Sequence, residues 1–274
     1  MSIETHAVGA LDYQPCHYGS SRLVFRGPAH ELAGRYCAVL GGNETYGRFV
    51  ERPYPALIEA ATGLGMVNLG CMNAGLDVYL NDSGVLEICG GARVAVLQLT
   101  GAQNMTNRFY AVHPRRNDRF LRASPQMRAI YPEVDFTDFN FTRHMLLSLQ
   151  QLSAERFDLV VEELKAAWVA RMKTLLGRLP SPVVLLWAAD RAPGPAAAPQ
   201  LDRDPLLIDQ EMIAEVRGAA SDYVECVSSP AAKAKGTAGM VFSEFDSSMA
   251  AELPGPAVHA EIAEALAPVL QRLL

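Results

Sequence analysis

Five short apolar runs, set apart by longer stretches of helical period, are the feature that most limits what this chain can fold into. They cover residues 36–40, 65–69, 93–99, 182–187 and 222–227. Each is too short for a buried helix and apolar on successive residues, as a strand is when both faces of its sheet are covered. Strands separated by helices imply crossover connections, and hence an α/β fold with an internal, mainly parallel, five-stranded sheet. Between the first two runs, residues 53–63 read as a helix, with Pro53 and Pro55 at its start and Gly63 at its end. Residues 153–179 carry the longest helical stripe, from Phe157 through Leu164 and Trp168 to Leu176, with Glu155, Glu162 and Arg171 off it. Ser153 is its expected cap, although Arg156 stands where a capping box has an acid. A last helix over 257–274 repeats Ile262, Leu266, Leu270 and Leu273.

Two stretches break this rhythm. Residues 101–151 are too long for a connection and contain helical pieces, which predicts a helical insertion after the third strand. Residues 191–205, with four prolines and four alanines, predict an irregular surface loop. No internal repeat is visible, so one domain over 1–274 is the expectation. With half of its 274 residues apolar, the chain can bury a large core, which excludes a disordered chain. The balance of 24 basic against 30 acidic residues provides no broad positive field, so nucleic acid is not an expected partner. The apolar runs fall far short of the ~20 residues of a membrane span, and Met1 to His6 lack a basic, apolar leader. A cytoplasmic protein without a membrane partner is expected. Five cysteines without CxxC spacing read as small buried hydrophobes, and no Cys/His set has zinc spacing, so no metal or cofactor is expected.

Gly41-Gly42-Asn43-Glu44-Thr45-Tyr46-Gly47 follows the first strand directly and precedes a helix. A glycine-rich turn at a strand's carboxyl end is where open α/β sheets bind ligands. The spacing matches neither GxGxxG nor a P-loop, and no lysine follows, so a nucleotide is not indicated. The turn resembles the first block of the SGNH (GDSL-type) hydrolases, Gly-Asp-Ser-x-x-x-Gly, with Asn43 at the nucleophile position. Asn68-Leu69-Gly70-Cys71-Met72-Asn73-Ala74-Gly75 is similar to the second block, Asn-x-Gly-x-x-Gly-x-Gly, with Asn73 at the inner glycine. Thr100-Gly101-Ala102-Gln103-Asn104 is similar to the third block, with Asn104 at the oxyanion asparagine. Pro256-Ala257-Val258-His259 resembles the last block, Asp-x-x-His, with proline in place of the aspartate. Residues 41–49 and 104–120 are also similar to DUF6473, an uncharacterised family of alphaproteobacteria.

The resemblance implies a flavodoxin-like sheet and one pocket at its carboxyl edge formed by Asn43, Asn73 or Gly75, Asn104 and His259, with Gly42 and Thr45 beside them. Ester hydrolysis there needs a hydroxyl nucleophile, a histidine, a carboxylate that orients it and oxyanion donors. An asparagine amide is no nucleophile, and loss of the hydroxyl costs on the order of 10⁶ in turnover. Thr45 is the nearest hydroxyl, and Asp246 or Glu252 stand in the right segment to orient His259.

A second constellation, residues 107–120, holds Arg108, Arg115, Arg116 and Arg119 with two phenylalanines, a tyrosine and His113. Arginine forks bind carboxylate, sulfate or phosphate. Either this cluster holds an anionic ligand, or it pairs with acids such as Asp118, Glu133 and Asp135. His17 has no second histidine at ligand spacing, His144 reads as a buried helix residue, and Phe136, Phe139 and Phe141 read as core. Three functional readings stand. The first is a non-hydrolytic relative that binds a polar or anionic small molecule, such as a glycan or its acyl derivative. The second is an ester hydrolase or acyltransferase with an altered mechanism using His259, and the third is a non-catalytic assembly component.

Overall fold

The computed structural model describes residues 11–195 and 199–274; Met1 to His6 and part of the 191–205 loop lie outside the described residues. Among the described residues seven strands form, β1 (Tyr36–Leu40), β2 (Gly65–Asn68), β3 (Val94–Gln98), β4 (Tyr110–His113), β5 (Arg116–Ala123), β6 (Val183–Ala189) and β7 (Asp222–Val227). Five of them make a wholly parallel sheet in the order β2-β1-β3-β6-β7. With the β4-β5 hairpin set aside, that is the 2-1-3-4-5 order of a flavodoxin-like fold. The five strands lie on the five apolar runs, with ends shifted by at most two residues.

Successive strand residues serve opposite layers. Ala38, Leu40, Val67, Leu97, Leu185 and Trp187 face one core, while Cys37, Val39, Met66, Val96, Val184 and Leu186 face the other. The second layer is built by α2 (Tyr54–Thr62), which follows the short α1 (Asn43–Tyr46), and by the last helix, α11 (Pro256–Leu273). The first layer holds α3 (Leu76–Leu80), α4 (Ser83–Gly91) and the long α7 (Ala154–Arg178), which buries the stripe from Phe157 to Leu176. Ser153 caps α7 by accepting from the Arg156 N–H at 3.3 Å. Burying one leucine- or phenylalanine-sized side chain stabilises by about 1.5–3 kcal/mol, so α7 is fixed by packing on the sheet. Trp168 on α7 donates to the Thr100 carbonyl at 2.9 Å and so fastens the loop that follows β3.

The insertion after β3 is helical only in its later part. It opens with the antiparallel β4-β5 hairpin and continues through α5 (Pro125–Ile130) and α6 (Thr142–Leu152). After β6 the chain runs to α8 (Gln210–Arg217), and after β7 it passes α9 (Pro230–Ala234) and α10 (Ser247–Ala251) before α11. The described part of 191–205 has neither helix nor strand. His144 is exposed on α6 with its ring edge against Phe139, not buried as the sequence suggests. Phe136 is core, whereas Phe141 is 40% exposed. All five cysteines are free, and burial pushes the thiols of Cys71 and Cys89 up to about 12. Among the described residues no helix is long and apolar enough to cross a membrane.

Candidate functional site

Every loop at the carboxyl edge of the sheet contributes to one cavity of about 800 Å³. Asn43 and Glu44 come from the turn after β1, Asn73 from the loop after β2 and Asn104 from the loop after β3. Asp204 comes from the loop after β6 and Glu252 from the segment after β7. Parallel strands end on one side of the sheet, so their loops converge there.

The three asparagines form a closed set. Asn43 Nδ2 donates to Asn73 Oδ1 at 3.0 Å, and the Asn73 backbone N–H donates to Asn43 Oδ1 at 3.1 Å. Asn104 Nδ2 donates to the Asn73 carbonyl at 3.1 Å, and Thr142 donates to Asn104 Oδ1 at 2.7 Å. Asn73 Nδ2 reaches Asp118 Oδ2 at 3.2 Å. Asn73 has φ +55°, the left-handed region that asparagine tolerates best after glycine, which is why it can stand at a glycine position. Its N–H, the group a hydrolase would turn to an oxyanion, is occupied by the Asn43 amide.

Gly75 stands just outside this pocket lining. Its N–H goes to Asn117 Oδ1 at 3.1 Å, and a Cβ there would lie 1.5 Å from the Asn104 carbonyl oxygen. Close approach of two backbones, not an oxyanion role, therefore explains the glycine. Gly42 lines the pocket, but its N–H is given to Gln98 Oε1 at 3.0 Å.

The hydroxyl of Thr45 is sealed behind the pocket. The residue is fully buried, its Oγ1 donates to Gln98 Oε1 at 2.6 Å, and it lies 2.7 Å from the Tyr54 hydroxyl. His259 is also set apart. It sits in the first turn of α11 with its ring stacked on Tyr54 at 6.1 Å, and its Nδ1 accepts the Tyr54 N–H at 3.1 Å. Burial, aided by the nearby Arg26 charge, holds its imidazole down at about 3, so it is neutral at neutral pH. Its neighbours Val258 and Ile262 line the pocket while the histidine does not. Adjacent helix positions point about 100° apart, and His259 takes the side that faces α2. Among the described residues no carboxylate pairs with it, and Asp246 is engaged by the Ser243 hydroxyl at 2.6 Å.

Of the arginine segment only Asp118 lines the pocket, and its four arginines do not. Arg108 pairs with Glu163 at 3.3 Å and covers the Phe109 ring; Arg119 lies over Phe141 at 4.1 Å; Arg115 and Arg116 are exposed at the hairpin tip. Glu133, one of their expected partners, instead holds Arg156 at 2.5 Å. The sequence reading missed what the pocket uses instead. Gln98 ends β3 as the polar residue of a buried strand, and that misfit was a legible signal. Thr100 Oγ1 and Gln103 Oε1 are buried in the wall without a hydrogen-bond partner. Glu44 is half-buried, with its carboxyl inward; burial raises its pKa above the usual range, Asp204 adds to this and the Gln98 amide opposes it.

A family model described as Domain of unknown function (DUF6473) matches residues 1–274. The chain belongs to that family. No match exists among curated proteins. Among solved structures, this DUF6473 chain is similar to the lipase Lip_vut3 from goat rumen metagenome, with 11% identity over 85% of this chain and 96% of the lipase and a TM-score of 0.43. Among the described residues no three His, Cys, Asp or Glu side chains are grouped to hold a metal ion.

Proposed function

We propose that the chain binds a polyhydroxylated small molecule, a glycan or its acyl derivative, in the carboxyl-edge pocket without efficiently hydrolysing it. The reciprocal Asn43–Asn73 pair carries this reading, because it fills the nucleophile position with an amide and uses the N–H that an oxyanion would need. A wall of amides and hydroxyls suits sugar hydroxyls, which both donate and accept. Charge argues against a strongly anionic ligand. The acids Glu44, Asp118, Asp190, Asp202, Asp204 and Glu252 outnumber Arg48, Arg143, Arg203 and Lys233 in the lining. Of those bases, Arg143 is already on Asp204 and Lys233 donates to the Asp190 carbonyl.

Two measurements test this. Titration calorimetry with mono- and disaccharides should detect binding that Asn104→Ala weakens. Short-chain aryl esters should be turned over no faster by the wild type than by His259→Asn. Asn43→Ser should remain inactive too, since His259 faces α2. Ester turnover that His259→Asn abolishes would overturn the reading, because general-base help is worth about 10²–10⁴ and is readily seen.

A further inference from the structure

Glu44 is a carboxyl held firmly in place with no cation of its own. Gln98 Nε2 donates to its Oε2 at 2.6 Å. The orientation of that amide is not free. Gln98 Oε1 already receives the Gly42 N–H at 3.0 Å and the Thr45 hydroxyl at 2.6 Å, so its nitrogen has to face Glu44. Thr45 is in turn held by Tyr54. Among the described residues no lysine, arginine or histidine nitrogen lies within 4.0 Å of Glu44.

The charged groups facing the cavity from the surrounding elements leave that gap open. Arg143 on α6 is engaged by Asp204, Arg48 after α1 lies over the Phe49 ring at 4.8 Å, and Arg203 is beside Asp202 at 4.0 Å. Lys233 on α9 is on a backbone carbonyl at 3.2 Å. Asp118 on β5 receives the Asn73 amide, and Asp190 and Glu252 add negative charge. A desolvated carboxyl without a counter-ion is costly, and a group that brings one gains by it.

We propose that Glu44 receives an ammonium group of the bound molecule, which makes the ligand class a polyhydroxylated primary amine such as an amino sugar. The inference rests on the small-molecule reading of the pocket given above and narrows it.

Matched probe pairs test it on the full chain: glucosamine against glucose, and tris(hydroxymethyl)aminomethane against pentaerythritol, by calorimetry at about pH 6, where the amines are charged. The charged member of at least one pair should bind roughly tenfold or more tightly, as expected for a charge-assisted hydrogen bond. Glu44→Gln should remove the preference, bringing the charged and neutral members of each pair to the same affinity. Equal binding of charged and neutral members overturns the ammonium assignment alone. No binding by any of the four overturns it together with the reading of the pocket.

Discussion

Replacing His259 separates a buried structural histidine from a catalytic one. The ring is 1% exposed, lies against Tyr54 and provides the acceptor for the Tyr54 N–H at 3.1 Å. His259→Ala removes a packed ring and leaves a buried N–H unpaired. The cavity costs about 2–4 kcal/mol and the lost partner about 1–3 kcal/mol, and partial relaxation brings the sum to about 3–5 kcal/mol. For a chain of this size that is a fall in melting temperature of roughly 10 °C. His259→Asn restores an acceptor near the Nδ1 position and should recover part of the loss. The pH dependence gives a second, sharper reading. The imidazole titrates at about 3 in the folded protein against 6.5 ordinarily, so as pH falls below 6.5 the unfolded chain takes up a proton that the folded chain refuses. Stability is therefore complete above pH 6.5 and is lost progressively down to about 3. At about pH 5 the loss is about 1.36 × 1.5, or about 2 kcal/mol. Thermal unfolding followed by circular dichroism at pH 7 and 5 measures it. The wild type should lose about 2 kcal/mol more than His259→Asn between the two, while groups common to both, including His30 beside Glu59 at 3.5 Å, cancel. Parallel curves, or a His259→Ala variant that loses less than about 1 kcal/mol, would refute the buried, neutral histidine.

Three further outcomes follow from the same geometry. Gly75→Ala should lower stability by at least about 2 kcal/mol and weaken sugar binding, because its Cβ would meet the Asn104 carbonyl at 1.5 Å; Gly177→Ala, with open space around it on α7, should instead gain up to about 1 kcal/mol, both read from thermal melts. Glu44→Gln should be more stable than the ligand-free wild type at neutral pH and level with it in acid. The raised carboxyl pKa means that the wild type loses stability as pH rises above the ordinary 4.5, and a melting series from acid to neutral pH shows whether the two diverge in that direction. Arg116→Ala should change stability by no more than about 0.5 kcal/mol, with the same melting response to sulfate as the wild type, since the side chain is exposed and outside the pocket.

The sheet was legible because both of its faces are covered, so each strand is written as consecutive apolar residues such as Tyr36-Cys37-Ala38-Val39-Leu40. The hairpin was not. Only Asn117, Phe120 and Ala123 of β5 are buried, and register shifts around Val112 break the alternation of period two that identifies a half-buried strand. Its charged sequence therefore read as a segment that either holds an anion or pairs with neighbouring acids. Asn117 was hidden for the same reason, although it is 1% exposed and receives the N–H groups of both Gly75 and Val78. The resemblance at the four blocks located the loops and left the direction of each side chain open. It brought Asn43, Asn73 and Asn104 to one cavity, yet a block of four residues at a helix start fits equally whether the histidine faces the pocket or α2.

The asparagines also explain how such a pocket holds its shape. Catalytic oxyanion donors are kept unsatisfied in the resting protein, at a cost that the reaction later offsets. Here the Asn73 N–H, at the position where the resemblance implies such a donor, is satisfied by Asn43, and the Asn73 carbonyl by Asn104. The loops after β1, β2 and β3 are thereby tied to one another, and Thr142 ties them to α6. Each bond contributes about 0.5–1.5 kcal/mol. Three loops joined in this way form a braced floor, and for the binding proposed above rigidity in advance lowers the ordering cost. Two buried oxygens without a partner, Thr100 Oγ1 and Gln103 Oε1, stand in the wall and not in the floor. On the binding reading proposed above, the floor of the pocket is closed to chemistry by its own hydrogen bonds.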